Sequence, residues 1–141
     1  MGEAVRRAEK GGDCFMRPCV AIDFDGTIAV TDFPAILSPV PEAIEFIKAC
    51  RLRGVAVILW TCRTDAHLID ALVWCDLQGI EFDAVNENLP DWISSYQTWQ
   101  PDVNPDCRKI CASIYIDDRN LGGINWEEAF NWLSKSDRTS R

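Results

Sequence analysis

Strand-like and helix-like stretches alternate along this chain, which predicts an α/β domain in three layers, a parallel sheet with helices on both faces. Three observations carry that expectation. Short apolar runs recur at "CVAIDF", "VAVILW" and "SIYID". Stretches of helical period separate them, opening on Pro or polar residues and mostly closing on Gly. The residues that look chemically expensive, above all paired aspartates, stand just after the strands.

In chain order, "CVAIDF" (19–24) is the first strand. "PEAIEFIKACRLRG" (41–54) is a helix, with Pro41 in its first turn, acids early, bases late and Gly54 as its stop. "VAVILW" (55–60) is β-branched and too short for a helix, so a buried strand. "TDAHLIDALVWCDLQG" (64–79) carries Leu68, Leu72 and Cys75 at helical spacing, with Thr64 as N-cap and Gly79 as terminator. "FDAV" (82–85) is a short strand. In "LPDWISSYQTW" (89–99), Trp92, Tyr96 and Trp99 form a stripe of a short helix, expected to pack on the sheet. "SIYID" (113–117) is the last strand, and "NWEEAFNWLSK" (125–135) is a closing helix with Trp126, Phe130 and Leu133 on one face.

At 141 residues the chain is the size of one domain, read as residues 17–136 between a flexible extension (1–16) and a short tail (137–141). Its formal charge of −8 opposes non-specific nucleic-acid binding and adsorption to anionic membranes. No apolar run reaches membrane-spanning length and no signal-like segment opens the chain, so a cytoplasmic location is expected. The seven cysteines are scattered without a zinc-ligand pattern and are read as reduced, small apolar residues.

Ligands of open parallel sheets bind at the carboxyl ends of the strands. There the sequence sets Asp23 and Asp25, then Thr61, then Asp117 and Asp118. Residues i and i+2 of a strand point the same way, so Asp23 and Asp25 share one side while Phe24 turns into the core. Carboxylates held together need a compensating charge. A hard divalent cation with oxygen ligands, Mg²⁺, answers that need.

"DFDGTI", a strand ending in Thr ("ILWT"), a Lys and a strand ending in "IDD", in that order, resemble the haloacid dehalogenase (HAD) superfamily. The resemblance spans Asp23 to Asp118 and implies a Rossmann-like domain with a phosphatase activity dependent on Mg²⁺. It implies that Asp23 is the nucleophile and forms an aspartyl-phosphate. Asp25 is then the general acid/base, a role that a raised pKa in its crowded acidic setting favours. Thr61 donates to a phosphoryl oxygen and Lys109, or its neighbour Arg108, neutralises charge. Mg²⁺ is held by Asp23, the backbone carbonyl of Asp25, Asp117 and Asp118. Gly26 gives a sharp turn whose N–H helps cradle the phosphate, and Thr27 braces the loop. With Cys62 and Arg63 they make up the substrate-binding set, although the Cys62 side chain is expected to pack.

Only about a dozen residues, "AVTDFPAILSPV", follow the first motif before the next helix. That leaves room for a β-hairpin flap and none for a cap domain. An open site of this kind suits a phosphorylated small molecule or macromolecule, or a second copy completing it. Arg63 either clamps an anionic group or caps a helix. His67 is read as structural, Asn86 and Asn88 as reaching the substrate, and Asn120 as supporting the metal. A receiver-like signalling domain uses similar residues, but its Lys comes last, whereas here it precedes the final acid pair. A non-catalytic binding module is the third reading, and a P-loop kinase is excluded for want of its Gly-Lys-Ser/Thr.

Overall fold

The computed structural model describes residues 16–102, 104 and 107–136. The extension expected at 1–16 falls outside them except for Met16, which packs against an apolar cluster rather than trailing free. The expected tail at 137–141 lies outside them altogether.

Four parallel strands form the main sheet in the order β5-β4-β1-β6: β1 (Cys19–Ile22), β4 (Ala56–Leu59), β5 (Ala84–Val85) and β6 (Ile114–Ile116). β1 lies between β4 and β6, with Ala21 opposite Ile58 on one side and Tyr115 on the other. Every residue of β1 and β4 is buried, which is why both read as continuous apolar runs. The intervening hairpin, β2 (Ala29–Asp32) and β3 (Ala35–Pro39), is antiparallel and fills the short stretch after the first motif.

The helices are α1 (Pro41–Leu52), α2 (Asp65–Leu77), α3 (Pro90–Trp99) and α4 (Trp126–Lys135). Alternation along β1 divides the core. Val20 and Ile22 face a cluster with Phe46 and Ile47 of α1, Ala71 and Cys75 of α2, and Leu133 of α4. Cys19 and Ala21 face the other way, onto Leu89, Trp92 of α3 and Ile110. Helices therefore cover both faces, as the alternating pattern predicts, in an arrangement compatible with a Rossmann-like fold. Phe46 packs against Trp126 and Phe130, joining α1 to α4.

Trp92 is buried, and its indole N–H donates to the Arg17 carbonyl at 2.9 Å, so this part of the aromatic stripe is core. The side chains of Tyr96 and Trp99 lie outside the described residues. Thr64 stands at the N-cap position of α2 but makes no capping bond there. Asn125 does cap α4, accepting from the Glu128 N–H at 3.0 Å. No described helix is long and apolar enough to cross a membrane.

Candidate active site

The turn after β1 places the first acids. Asp23 continues the sheet by one hydrogen bond, its N–H donating to the Ile116 carbonyl at 3.0 Å. The Phe24 carbonyl then accepts from the N–H groups of Thr27, Ile28 and Ala29, which folds the chain back sharply. Gly26 makes this turn possible with φ +80°, a region costly for other residues. A Cβ there would also lie 2.2 Å from Asp118 Oδ2, so a larger residue would displace the Asp118 carboxylate. The Gly26 N–H donates to the Ala29 carbonyl at 2.8 Å, so the turn consumes the donor that the sequence assigns to a phosphate cradle.

Thr27 is fully buried and therefore braces the site instead of meeting a substrate. Its hydroxyl donates to Asp23 Oδ2 at 3.2 Å and accepts from the Asp118 N–H at 3.0 Å. One side chain thus ties the end of β1 to the turn after β6. Asp117 has its own anchor, accepting at Oδ1 from the Arg119 N–H at 2.9 Å.

These bonds bring together Asp23, Asp117 and Asp118, each offering one carboxylate oxygen within 4.8 Å of the others. Burial first, and the negative charges of Asp117 and Asp118 next, push the Asp23 carboxyl up to about 7. Such a group of hard oxygen donors, short of positive charge, suits a divalent cation such as Mg²⁺.

The carboxylate of Asp25 takes no part in that group. It faces Arg63, which is 2% exposed and grips it with two hydrogen bonds, Nε to Oδ2 at 2.8 Å and Nη2 to Oδ1 at 2.7 Å. Nη1 donates to the carbonyls of Pro34 at 3.2 Å and His67 at 3.4 Å. The guanidinium lies between the rings of Phe24 and Phe33, 5.0 Å from each centroid. Arg63 is thereby committed inside the protein and is neither an anion clamp for substrate nor a helix cap. The Asp25 carboxyl is held below the usual carboxylate range, chiefly by its hydrogen bonds from Arg63 and with help from Thr31. The raised value expected at Asp25 belongs to Asp23 instead: proximity in sequence made the two acids look alike, while their neighbours in space differ.

Thr61 follows β4. Its N–H donates to Asn86 Oδ1 at 2.8 Å and its hydroxyl oxygen accepts from the Arg63 N–H at 3.1 Å. Asn86 therefore supports the Thr61 backbone from within the protein. Asn88 accepts from the Cys111 N–H at 2.7 Å, and the amide of Asn120 reaches back to the Tyr115 carbonyl at 3.5 Å. Neither amide contact is with a carboxylate of the cluster. Cys62 is exposed, not packed. The exposed His67 ring meets Phe33 edge-on at 5.2 Å.

Lys109 is exposed, with Nζ 5.7 Å from the Tyr115 ring centroid. Among the described residues, no hydrogen bond or ion pair joins Lys109 or Arg108 to the acids. The structure thus gathers Asp23, Asp117 and Asp118 and places Asp25 apart on Arg63. The residues missed as supports, Thr31, Pro34 and Asn86, act through a hydroxyl, a carbonyl and an amide that carry no sequence signature.

No protein-family model and no curated protein matches the chain. Two solved structures resemble it. One, from the Pnkp1/Rnl/Hen1 RNA repair complex, is 21% identical with a TM-score of 0.49, over 74% of this chain and 37% of that one. The other is a conserved protein from Bacteroides thetaiotaomicron, with a TM-score of 0.69 over 89% of this chain and 96% of that one. At 31% identity across that span, the chain belongs to the same family as the conserved Bacteroides thetaiotaomicron protein.

Proposed function

We propose that the chain is a Mg²⁺-dependent phosphatase of the HAD type, acting on phosphate monoesters through an aspartyl-phosphate on Asp23. The observation that carries this reading is the approach of Asp23, Asp117 and Asp118 to within 4.8 Å of one another at the carboxyl end of the sheet. These three would hold Mg²⁺, which supplies electrostatic stabilisation for the transferring phosphoryl group.

The chain's own groups then divide the work. Thr27 holds Asp23 Oδ2, which leaves Oδ1 to attack phosphorus in line as the bond to the leaving oxygen breaks. The Thr61 oxygen accepts from the Arg63 N–H, so its hydroxyl hydrogen is available to a phosphoryl oxygen. Water next attacks the phosphorus of the aspartyl-phosphate, Asp25 takes the water's proton, and inorganic phosphate leaves with Asp23 restored. Arg63 keeps Asp25 in its carboxylate form, able to take a proton but a weaker base than the sequence reading expects. In this reading Asp25 serves the second half-reaction better than the first, where a leaving group stable as an anion needs least help. Lys109 completes the proposed set as the phosphate-neutralising cation, moving from its place over Tyr115.

A phosphate-release assay over a panel of phosphate monoesters tests the proposal. Wild type turns over with Mg²⁺, EDTA abolishes the release, and Asp23→Asn lowers kcat by about 10³-fold or more. Undiminished turnover in Asp23→Asn overturns the mechanism. Phosphate that stays on Asp23 without turnover favours the receiver-like reading.

A further inference from the structure

Three cysteines, Cys19, Cys50 and Cys75, are buried in the core, and burial pushes each thiol up to about 12. They are inert packing residues, as the sequence suggests. Cys107 and Cys111 differ. Both are half-exposed, and both are held by one side chain. Asn88 Oδ1 accepts from the Cys111 N–H at 2.7 Å, while Asn88 Nδ2 donates to Cys107 Sγ at 3.7 Å. The Cys107 thiol is 3.3 Å from the Lys109 carbonyl, so the chain between the two cysteines curls back on itself.

We propose that Cys107 and Cys111 are a reversible redox pair that closes into an intramolecular disulfide on meeting a low-molecular-weight disulfide. Asn88 holds the Cys107 sulfur and the Cys111 backbone, so one side chain already gathers both ends of the short loop before any bond forms. Cys107, whose sulfur accepts the Asn88 N–H, attacks one sulfur of the small disulfide and expels the other as a thiol. Cys111 then attacks the Cys107 sulfur of the mixed disulfide and expels the second small thiol. Two protein thiols lose two electrons and two protons, and the small disulfide gains both to become two thiols.

The ring so formed contains Arg108, Lys109 and Ile110. Ile110 is buried, and its carbonyl accepts the Tyr115 hydroxyl. Closing the ring therefore fixes the backbone of Lys109 between two anchors, the disulfide and Ile110. The pair flanks Lys109, but its chemistry rests on the two thiols and Asn88 and does not depend on the function proposed for the acid cluster.

Trypsin makes the test direct, because it cuts after Arg108 and Lys109 and leaves the two cysteines in different peptides. The full chain is incubated with oxidised glutathione, its remaining thiols are alkylated, and the digest is weighed with and without reduction. The expected result is peptide 64–108 linked to peptide 110–119, with fragmentation placing the bond on Cys107 and Cys111 and not on buried Cys75, present at every protein concentration and lost on reduction. A lasting glutathione adduct on either cysteine without the link overturns the proposal. So does alkylation of both while exposed Cys62 alone takes up glutathione, or a link whose yield grows with protein concentration.

Discussion

Arg63 and Asp25, 38 residues apart in sequence, form a two-pronged ion pair at 2.7 and 2.8 Å, and the arginine is buried beneath the hairpin that follows the first motif. The pair links three pieces of chain: the turn after β1, the segment after β4, and the hairpin through the Pro34 carbonyl. Removing the guanidinium leaves a partly buried carboxylate and two carbonyls without their donor. Arg63→Ala is expected to cost about 3–5 kcal/mol, the range for breaking a buried pair, nearer its lower end because Asp25 keeps some contact with water. Arg63→Lys recovers little, since an ammonium cannot form the fork. Urea denaturation measures both; a loss below about 1 kcal/mol in Arg63→Ala contradicts this role.

The same pair sets an acid limit on stability. The folded-state pKa of Asp25 lies below its ordinary 3.8. Its contribution is therefore complete above that value and is lost as the pH falls through the folded pKa. Thermal melts taken downward from pH 4.5 should show a steeper loss in wild type than in Asp25→Asn. Parallel curves for the two proteins would refute it.

Asp23 works in the opposite direction. In the absence of divalent cation its pKa is raised from 3.8 to about 7, so the folded state binds the extra proton in that window. Stability then falls as the pH rises from about 4 to 7, with the whole penalty present above 7. At pH 8 in EDTA, Asp23→Asn should melt several degrees above wild type. An Asn variant that melts lower under those conditions argues against charge crowding as the dominant force there.

Mg²⁺ should relieve the same crowding. A cation bound only by the folded chain stabilises it by about 2.7 kcal/mol at a hundred times its dissociation constant. Melting temperatures titrated with MgCl₂ are expected to rise in wild type and to stay flat in Asp117→Asn/Asp118→Asn. An equal rise in both proteins would mean that the cation acts elsewhere.

Thr27 offers a structural test of the bridge between the strand ends. Thr27→Val keeps the shape but strips the hydroxyl from Asp23 Oδ2 and from the Asp118 N–H. Two groups lose a partner in a site where Thr27 itself is fully buried, and a cost of about 1–3 kcal/mol follows. A neutral effect in denaturant titration would show that water replaces the hydroxyl freely.

The positions of Asp23, Thr61, Asp117 and Asp118 were legible because strand periodicity and the carboxyl-end rule need only local sequence. The hairpin was legible from length alone. Arg63 was not: an arginine after a strand looks the same whether it reaches solvent or a carboxylate brought from 38 residues away. Its burial depends on the Pro34 and His67 carbonyls, and carbonyls belong to every residue. Thr27 braces the loop as its place in the motif implies, while the Gly26 N–H, read as part of a phosphate cradle, is taken up by the turn itself. Cys107 and Cys111 read as ordinary packing residues until Asn88 was seen to hold them both.

The most direct test of the central claim is acid-quenched mass spectrometry of the peptide containing Asp23 during turnover with Mg²⁺ and a phosphate monoester. One phosphoryl group on Asp23, appearing and disappearing at the rate of phosphate release and missing in EDTA, is the predicted result. Phosphate release at the full rate with Asp23 never phosphorylated would contradict it.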